Sequence, residues 1–213
     1  MRIRLCLAAL SLVGGAGLTT LSVPTATAAT CSDIDVVVAR GTFEPGTLGA
    51  IVGDPVYSAL QQKLTGRNLS SYKVNYPADL SLTSAAQGNA DLVNHVNGQA
   101  AACPNQRFIL VGYSQGANVV DNSIGISSDG AVVGSPIVAT LPAAVAPRVA
   151  AVLLFGNPIR ALGKSVTGPY QSRTVDFCAK GDPICENGGG DVLAHLGYTA
   201  DAGAAADFAA TKV

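Results

Sequence analysis

The stretch Arg107-Phe108-Ile109-Leu110-Val111-Gly112-Tyr113-Ser114-Gln115-Gly116-Ala117 decides the fold. Its first half is an unbroken apolar run, which predicts a strand over residues 107–113 buried on both faces. Residues 116–124 read as a helix, so Ser114 falls at a sharp strand-to-helix turn between two glycines. Gly-x-Ser-x-Gly is a common pattern by itself, but strand, tight turn and helix together are the context of a nucleophile elbow. The glycines keep side chains away from the place where strand and helix approach. The serine is then presented at the C-terminal edge of a sheet, where the Gln115 N–H and the helix N-terminus can face an oxyanion. An ordinary turn with a capping serine is the plainer reading of the same residues.

Similar runs lie on either side. Residues 34–40 (IDVVVAR) and 149–155 (VAAVLLF) read as buried strands, and residues 72–76 (YKVNY) and 173–177 as two more. Between them, residues 54–64 form a helix opened by Asp54 as N-cap and Pro55 at its first position. Residues 83–102 form a long amphipathic helix with Leu92, Val93 and Val96 inward, and residues 200–210 an Ala-rich closing helix. This alternation predicts an α/β fold, a three-layer α/β/α sandwich around a central, mainly parallel five-stranded sheet. No repeat, heptad, charge block or linker divides the chain, and residues 127–135 read as a surface loop. One domain over residues 30–213 is expected.

The first residues read as a secretory leader. Arg2 and Arg4 precede an apolar, small-residue stretch, and Ala26-Thr27-Ala28 supplies the pattern for cleavage after Ala28 or Ala29. Gly14, Gly15, Gly17, Thr19, Thr20 and Ser22 dilute the stretch too far for a stable membrane anchor. Without residues 1–28 the chain carries 11 basic against 14 acidic residues, a net charge of −3. That balance offers no footprint for nucleic acid or an anionic membrane and suits a neutral or apolar substrate. Cys6 leaves with the leader, and the four remaining cysteines predict two disulfides in an exported protein. Cys178 and Cys185 enclose a short loop with turn residues and are natural partners, which leaves Cys31 with Cys103. A zinc site is a poor match, because the Cys-x6-Cys spacing has no histidine nearby.

A serine nucleophile needs a base, and the chain has two histidines, His95 and His195. His95 lies mid-helix, upstream of Ser114, and reads as a partly exposed helix residue. His195 follows a glycine-rich stretch, and only it satisfies the chain order Ser, acid, His of this architecture. Asp121, Asp129, Asp176, Asp182, Glu186 and Asp191 lie between the two. Asp182, in Gly181-Asp182-Pro183 inside the small cysteine loop, is the best placed to orient an imidazole. Asp191 sits close enough to His195 to do no more than cap the next turn. The second oxyanion donor belongs on the loop after the first strand, Ala39-Arg40-Gly41-Thr42-Phe43-Glu44. Arg40 and Glu44 there read equally well as surface charges.

Taken together, Ala39-Arg40-Gly41-Thr42, Gly112-Tyr113-Ser114-Gln115-Gly116-Ala117, the Cys178/Cys185 loop around Asp182 and the glycine-rich run into His195 resemble the cutinase family. This is a small, secreted, lidless branch of the α/β-hydrolases, and the likeness runs from Cys31 to the C-terminus, nearest to its actinobacterial members. The resemblance implies a Ser114–His195–Asp182 triad, an oxyanion hole of Thr42 and Gln115, and disulfides Cys31–Cys103 and Cys178–Cys185; the sequence itself offers no metal site and no cofactor motif. It also implies an open apolar cleft, for which Leu80, Leu82, Ile184, Leu193 and Leu196 are candidates. The expected substrate is a carboxylic ester: a cutin-like polymer, a lipid or a small acyl ester, hydrolysed by a monomer without a membrane anchor. Acetylxylan esterase and lipase or phospholipase action are alternatives on the same motifs. A secreted binding or antigenic protein with an inert site is the alternative outside enzymes. Asn157 stands where relatives often carry aspartate.

Overall fold

The computed structural model describes residues 31–213, so the leader reading and Cys6 lie outside the described residues. Five strands, β1 (Ile34–Ala39), β2 (Leu69–Lys73), β3 (Arg107–Tyr113), β4 (Val149–Phe155) and β5 (Thr174–Phe177), pair in the order β2-β1-β3-β4-β5. Every neighbouring pair is parallel. The helices are α1 (Gly53–Lys63), α2 (Ser84–Ala102), α3 (Gln115–Ser123), α4 (Val192–His195) and α5 (Ala202–Ala210).

Strand alternation sorts the apolar runs into two cores. Val37, Leu110 and Val152 face α2 and α3, packing with Leu92, Val96 and Val120. Val36, Val38, Ile109 and Leu153 face the other side, against Val56 and Leu60 of α1 and Ala202, Ala205, Ala206 and Ala209 of α5. Each fully buried Val, Ile or Leu contributes about 1.5–3 kcal/mol over its exposed state, which is why runs buried on both faces specify the central strands so strongly. The disulfides Cys31–Cys103 and Cys178–Cys185 close as the spacing suggests.

The strand order also fixes where chemistry can sit. The chain goes from β1 outward to β2, then crosses back to β3 and continues the other way. Such a reversal opens a crevice beyond the carboxyl ends of the two strands at the switch, here β1 and β3. The loop carrying Thr42 follows one of them, and Ser114 follows the other.

Two expectations change. The second strand covers residues 69–73 rather than 72–76, with Val74 and Tyr76 buried beyond its end. The cap of α1 is Val52, and the Asp54 carboxylate instead accepts the N–H groups of Thr47 and Leu48 at 3.1 and 2.8 Å. His95 is a partly exposed residue of α2 as expected, and it has a partner the sequence did not show: its Nε2 lies 2.7 Å from Asp35 Oδ2 and its ring stacks on Tyr72. Asp35 is a buried carboxyl near the start of β1, and a group in that position requires a partner.

Candidate active site

Ser114 joins β3 to α3 at φ 54° and ψ −118°, a conformation that a residue with a side chain adopts only when its surroundings impose it. Its N–H donates to Phe155 O at 2.9 Å and its carbonyl accepts the Ala117 N–H at 2.9 Å. Gly116 is the other constraint. A Cβ there would lie 1.9 Å from the Ala39 carbonyl oxygen, so α3 can begin against the end of β1 only with glycine at this position. That approach sets the N-terminus of α3 against the start of the loop after β1, an end of the helix that favours negative charge.

The candidate base arrives from the far end of the chain. Asp191 caps α4, its carboxylate accepting the Leu193 and Ala194 N–H groups at 2.9 and 3.3 Å, and His195 is the last residue of that helix. The ring packs over Gly156, where a Cβ would come within 2.8 Å of it. Nε2 lies 3.0 Å from Ser114 Oγ, and Nδ1 lies 2.8 Å from Asp182 Oδ2. Asp182 is fully buried, and its other oxygen accepts the Ile184 N–H at 2.8 Å. A carboxylate on Nδ1 fixes the tautomer that leaves Nε2 free to accept a proton, and its charge favours the imidazolium that results. The arrangement can deprotonate Ser114 and return the proton to a leaving group.

The loop after β1 is held by residues that looked superficial in the sequence. Arg40 donates to the carbonyls of Tyr76 and Pro77, and the Tyr76 hydroxyl donates back to the Arg40 carbonyl. Glu44 is buried, and its carboxylate accepts the N–H groups of Gly41 and Ile51, each at 2.7 Å. Burial pushes the Glu44 carboxyl above its usual range, while these backbone donors pull it back down. The pair therefore frames Thr42, which faces the same cleft as Ser114 and His195.

The Cutinase family model matches residues 30–213. The chain belongs to the cutinase family. A cutinase of Kineococcus radiotolerans is 44% identical over 161 residues, which are 74% of this chain and 53% of that relative, so the chain spans about half its length. Carboxylesterase Culp1 of Mycobacterium tuberculosis is 40% identical over 195 residues, 86% of this chain and 82% of that one. Among solved structures, Trichoderma reesei cutinase in complex with a phosphonate inhibitor has a TM-score of 0.67 at 35% identity, covering 84% of this chain and 75% of that one. An acetylxylan esterase has a TM-score of 0.70 at 25% identity, covering 86% and 99%.

In this cutinase-family chain the cleft beside Ser114 has a volume of about 400 Å³. Leu80, Ile184 and Leu196 line it, together with Thr42. Leu82 and Leu193 do not; they stand 92% and 76% exposed, two residues before α2 and within α4. The Gln115 side chain is also turned away. Its Nε2 donates to Asp79 O and its Oε1 accepts the Ser84 hydroxyl, which leaves the backbone N–H as the group it can offer the cleft. Sequence reasoning missed Phe43, Ile51, Tyr113, Val132 and Val133, all on the wall. Phe43 was visible in the Thr42 motif, whereas Val132 and Val133 belong to the segment read as plain surface loop.

Proposed function

We propose that this chain is a secreted serine esterase that hydrolyses neutral carboxylic esters of short to medium acyl length through Ser114, His195 and Asp182. The observation that carries the reading is the unbroken relay from Asp182 Oδ2 through His195 to Ser114 Oγ, with steps of 2.8 and 3.0 Å, at the floor of an apolar cleft. His195 takes the serine proton as Oγ bonds to the ester carbonyl carbon, and the oxyanion is received by Thr42 and the Gln115 N–H. The tetrahedral species collapses, the C–O bond to the alcohol breaks, and His195 protonates the departing oxygen. Water, deprotonated by the same imidazole, then releases the acid from Ser114. Asp182 stays ionised throughout and stabilises the imidazolium.

The walls favour an acyl chain over a charged or sugar group. Phe43, Leu80, Val132, Val133 and Ile184 are apolar, and the one acid in the lining, Glu44, is committed to backbone donors. A volume near the lower end of ligand pockets fits a chain of several carbons better than a bare acetyl group. The acyl-length profile on p-nitrophenyl esters, run alongside cutin and acetylated xylan, tests this. Butyrate to octanoate should be turned over faster than acetate, and Ser114→Ala should be inactive while folded. A clear acetate optimum with xylan deacetylation assigns the acetyl esterase reading instead.

Export rests on the leader pattern of residues 1–28 and on the two disulfides, with residues 30–213 as one catalytic domain. We further propose a monomer held at no membrane. Among the described residues no helix is long and apolar enough to cross one.

A further inference from the structure

We infer that Tyr198 is a positioning residue of the esterase reaction, its phenol holding the Asp182 carboxylate and drawing charge from the oxygen that faces His195. The inference rests on the Ser114–His195–Asp182 reading. Tyr198 is 1% exposed, and its hydroxyl donates to Asp182 Oδ2 at 2.5 Å. That is the oxygen His195 Nδ1 reaches at 2.8 Å, so two donors share one acceptor atom. The phenol oxygen in turn accepts the Ala179 N–H at 3.0 Å, which leaves its own proton directed at Asp182. The ring is wedged edge-on against His195, Phe155 and Tyr113 and cannot swing away. Burial, and then the neighbouring carboxylate, push the phenol well above its usual range and keep it a donor at any working pH.

A buried carboxylate cannot be solvated by water, so its donors decide how much negative charge the imidazole meets. A hydrogen bond from Tyr198 takes a share of the Oδ2 charge. Without it, the same oxygen holds the imidazolium more tightly, and His195 gives up its proton only at higher pH. The other polar groups facing this cluster are committed elsewhere. Tyr113 donates to the His195 carbonyl at 2.7 Å, Glu186 accepts the Gly181 N–H, Asp191 caps α4, and Glu44 binds the loop after β1. None of these hydrogen bonds is made to Tyr198.

The test is the pH dependence of kcat and kcat/KM on p-nitrophenyl butyrate for three proteins: wild type, Tyr198→Phe, and wild type carrying 3-fluorotyrosine at 198, a stronger donor of the same shape. Tyr198→Phe should lower kcat about tenfold with KM nearly unchanged, the size expected for one hydrogen bond to a charged group. It should also move the acid limb of kcat/KM upward by about half a pH unit. The 3-fluorotyrosine protein should move that limb down. A purely structural role lowers the melting temperature and leaves the acid limb in place. An acid limb unmoved in both altered proteins overturns the inference. If Tyr198→Phe does not fold, the fluorinated protein decides alone, and an unmoved or raised limb is fatal. Ser114→Ala separates the two levels: activity surviving there removes the triad reading itself, whereas a dead Ser114→Ala with an unmoved limb removes only the role of Tyr198.

Discussion

Two carboxyls lie within reach of each other's charge: Asp121 of α3, fully buried, and Asp176 of β5, half-buried. Asp176 accepts a hydrogen bond from Asn157 Nδ2 at 3.1 Å and has Arg160 Nη1 3.7 Å away, yet burial outweighs both and pushes its carboxyl from 3.8 up to about 6. The native state therefore binds this proton more tightly than the unfolded chain does. The cost of ionising Asp176 is absent well below pH 4, grows as pH rises through 6, and is complete above it. A rise from 3.8 to about 6 corresponds to about 3 kcal/mol. Because Arg160 is partly solvated and can readjust, about 1.5–3 kcal/mol is the expected benefit of removing the charge. Asp176→Asn keeps the shape and can still accept the Asn157 bond. It should exceed wild type in stability at pH 7.5 by that amount, or by about 3–12 °C in Tm. At pH 4.5 the gap should fall to less than half. Urea unfolding of both proteins at pH 7.5, 6 and 4.5 measures it. A variant no more stable than wild type at pH 7.5, or a gap that ignores pH, refutes the reasoning.

Thr42→Val deletes a hydroxyl at the cleft and should cut kcat about 10²–10³-fold with little change in KM, measured on p-nitrophenyl butyrate; an unchanged kcat removes that hydroxyl from the oxyanion site. The disulfides should separate stability from activity. Chain entropy gives about 4.4 kcal/mol for Cys31–Cys103, with a separation of 72 residues, and about 2.4 kcal/mol for Cys178–Cys185, with a separation of 7. Replacing the first pair by alanine should cost more Tm, and replacing the second more kcat, because its loop carries Asp182. The opposite order in both would contradict the placement of function in the small loop. Hydrolysis should fall in acid, since the imidazole must be neutral to accept the serine proton, and a rate flat down to pH 4 is incompatible with that step.

The parts of the fold that read cleanly from the sequence are those whose physics is local. β3 and β4 are continuous apolar runs because both faces are buried, and their ends fall where the run stops. The elbow was legible because Gly112, Ser114 and Gly116 express a steric requirement at fixed spacing. β2 was displaced by three residues for the opposite reason. As an edge strand it reads Leu-Ser-Ser-Tyr-Lys and is only half-buried, while Val74 and Tyr76 mimic strand alternation from a loop that dives into the core. The partners of Asp35, Glu44 and Tyr198 were not legible. Asp35 meets His95 across 60 positions and Tyr198 meets Asp182 across 16, and no local pattern records such closures. Leu82 and Leu193 show the same limit, since being apolar and near the motif does not say which way a loop residue points.

The central claim, that Ser114 is the one nucleophile of an ester hydrolase, is tested most directly by stoichiometric labelling with a fluorophosphonate, followed by intact-mass analysis and peptide mapping. One adduct should form, on Ser114, with hydrolysis lost in proportion to labelling, and Ser114→Ala should take up none. Hydrolysis that survives complete labelling of Ser114, or inactivation by an adduct on another residue, would contradict it.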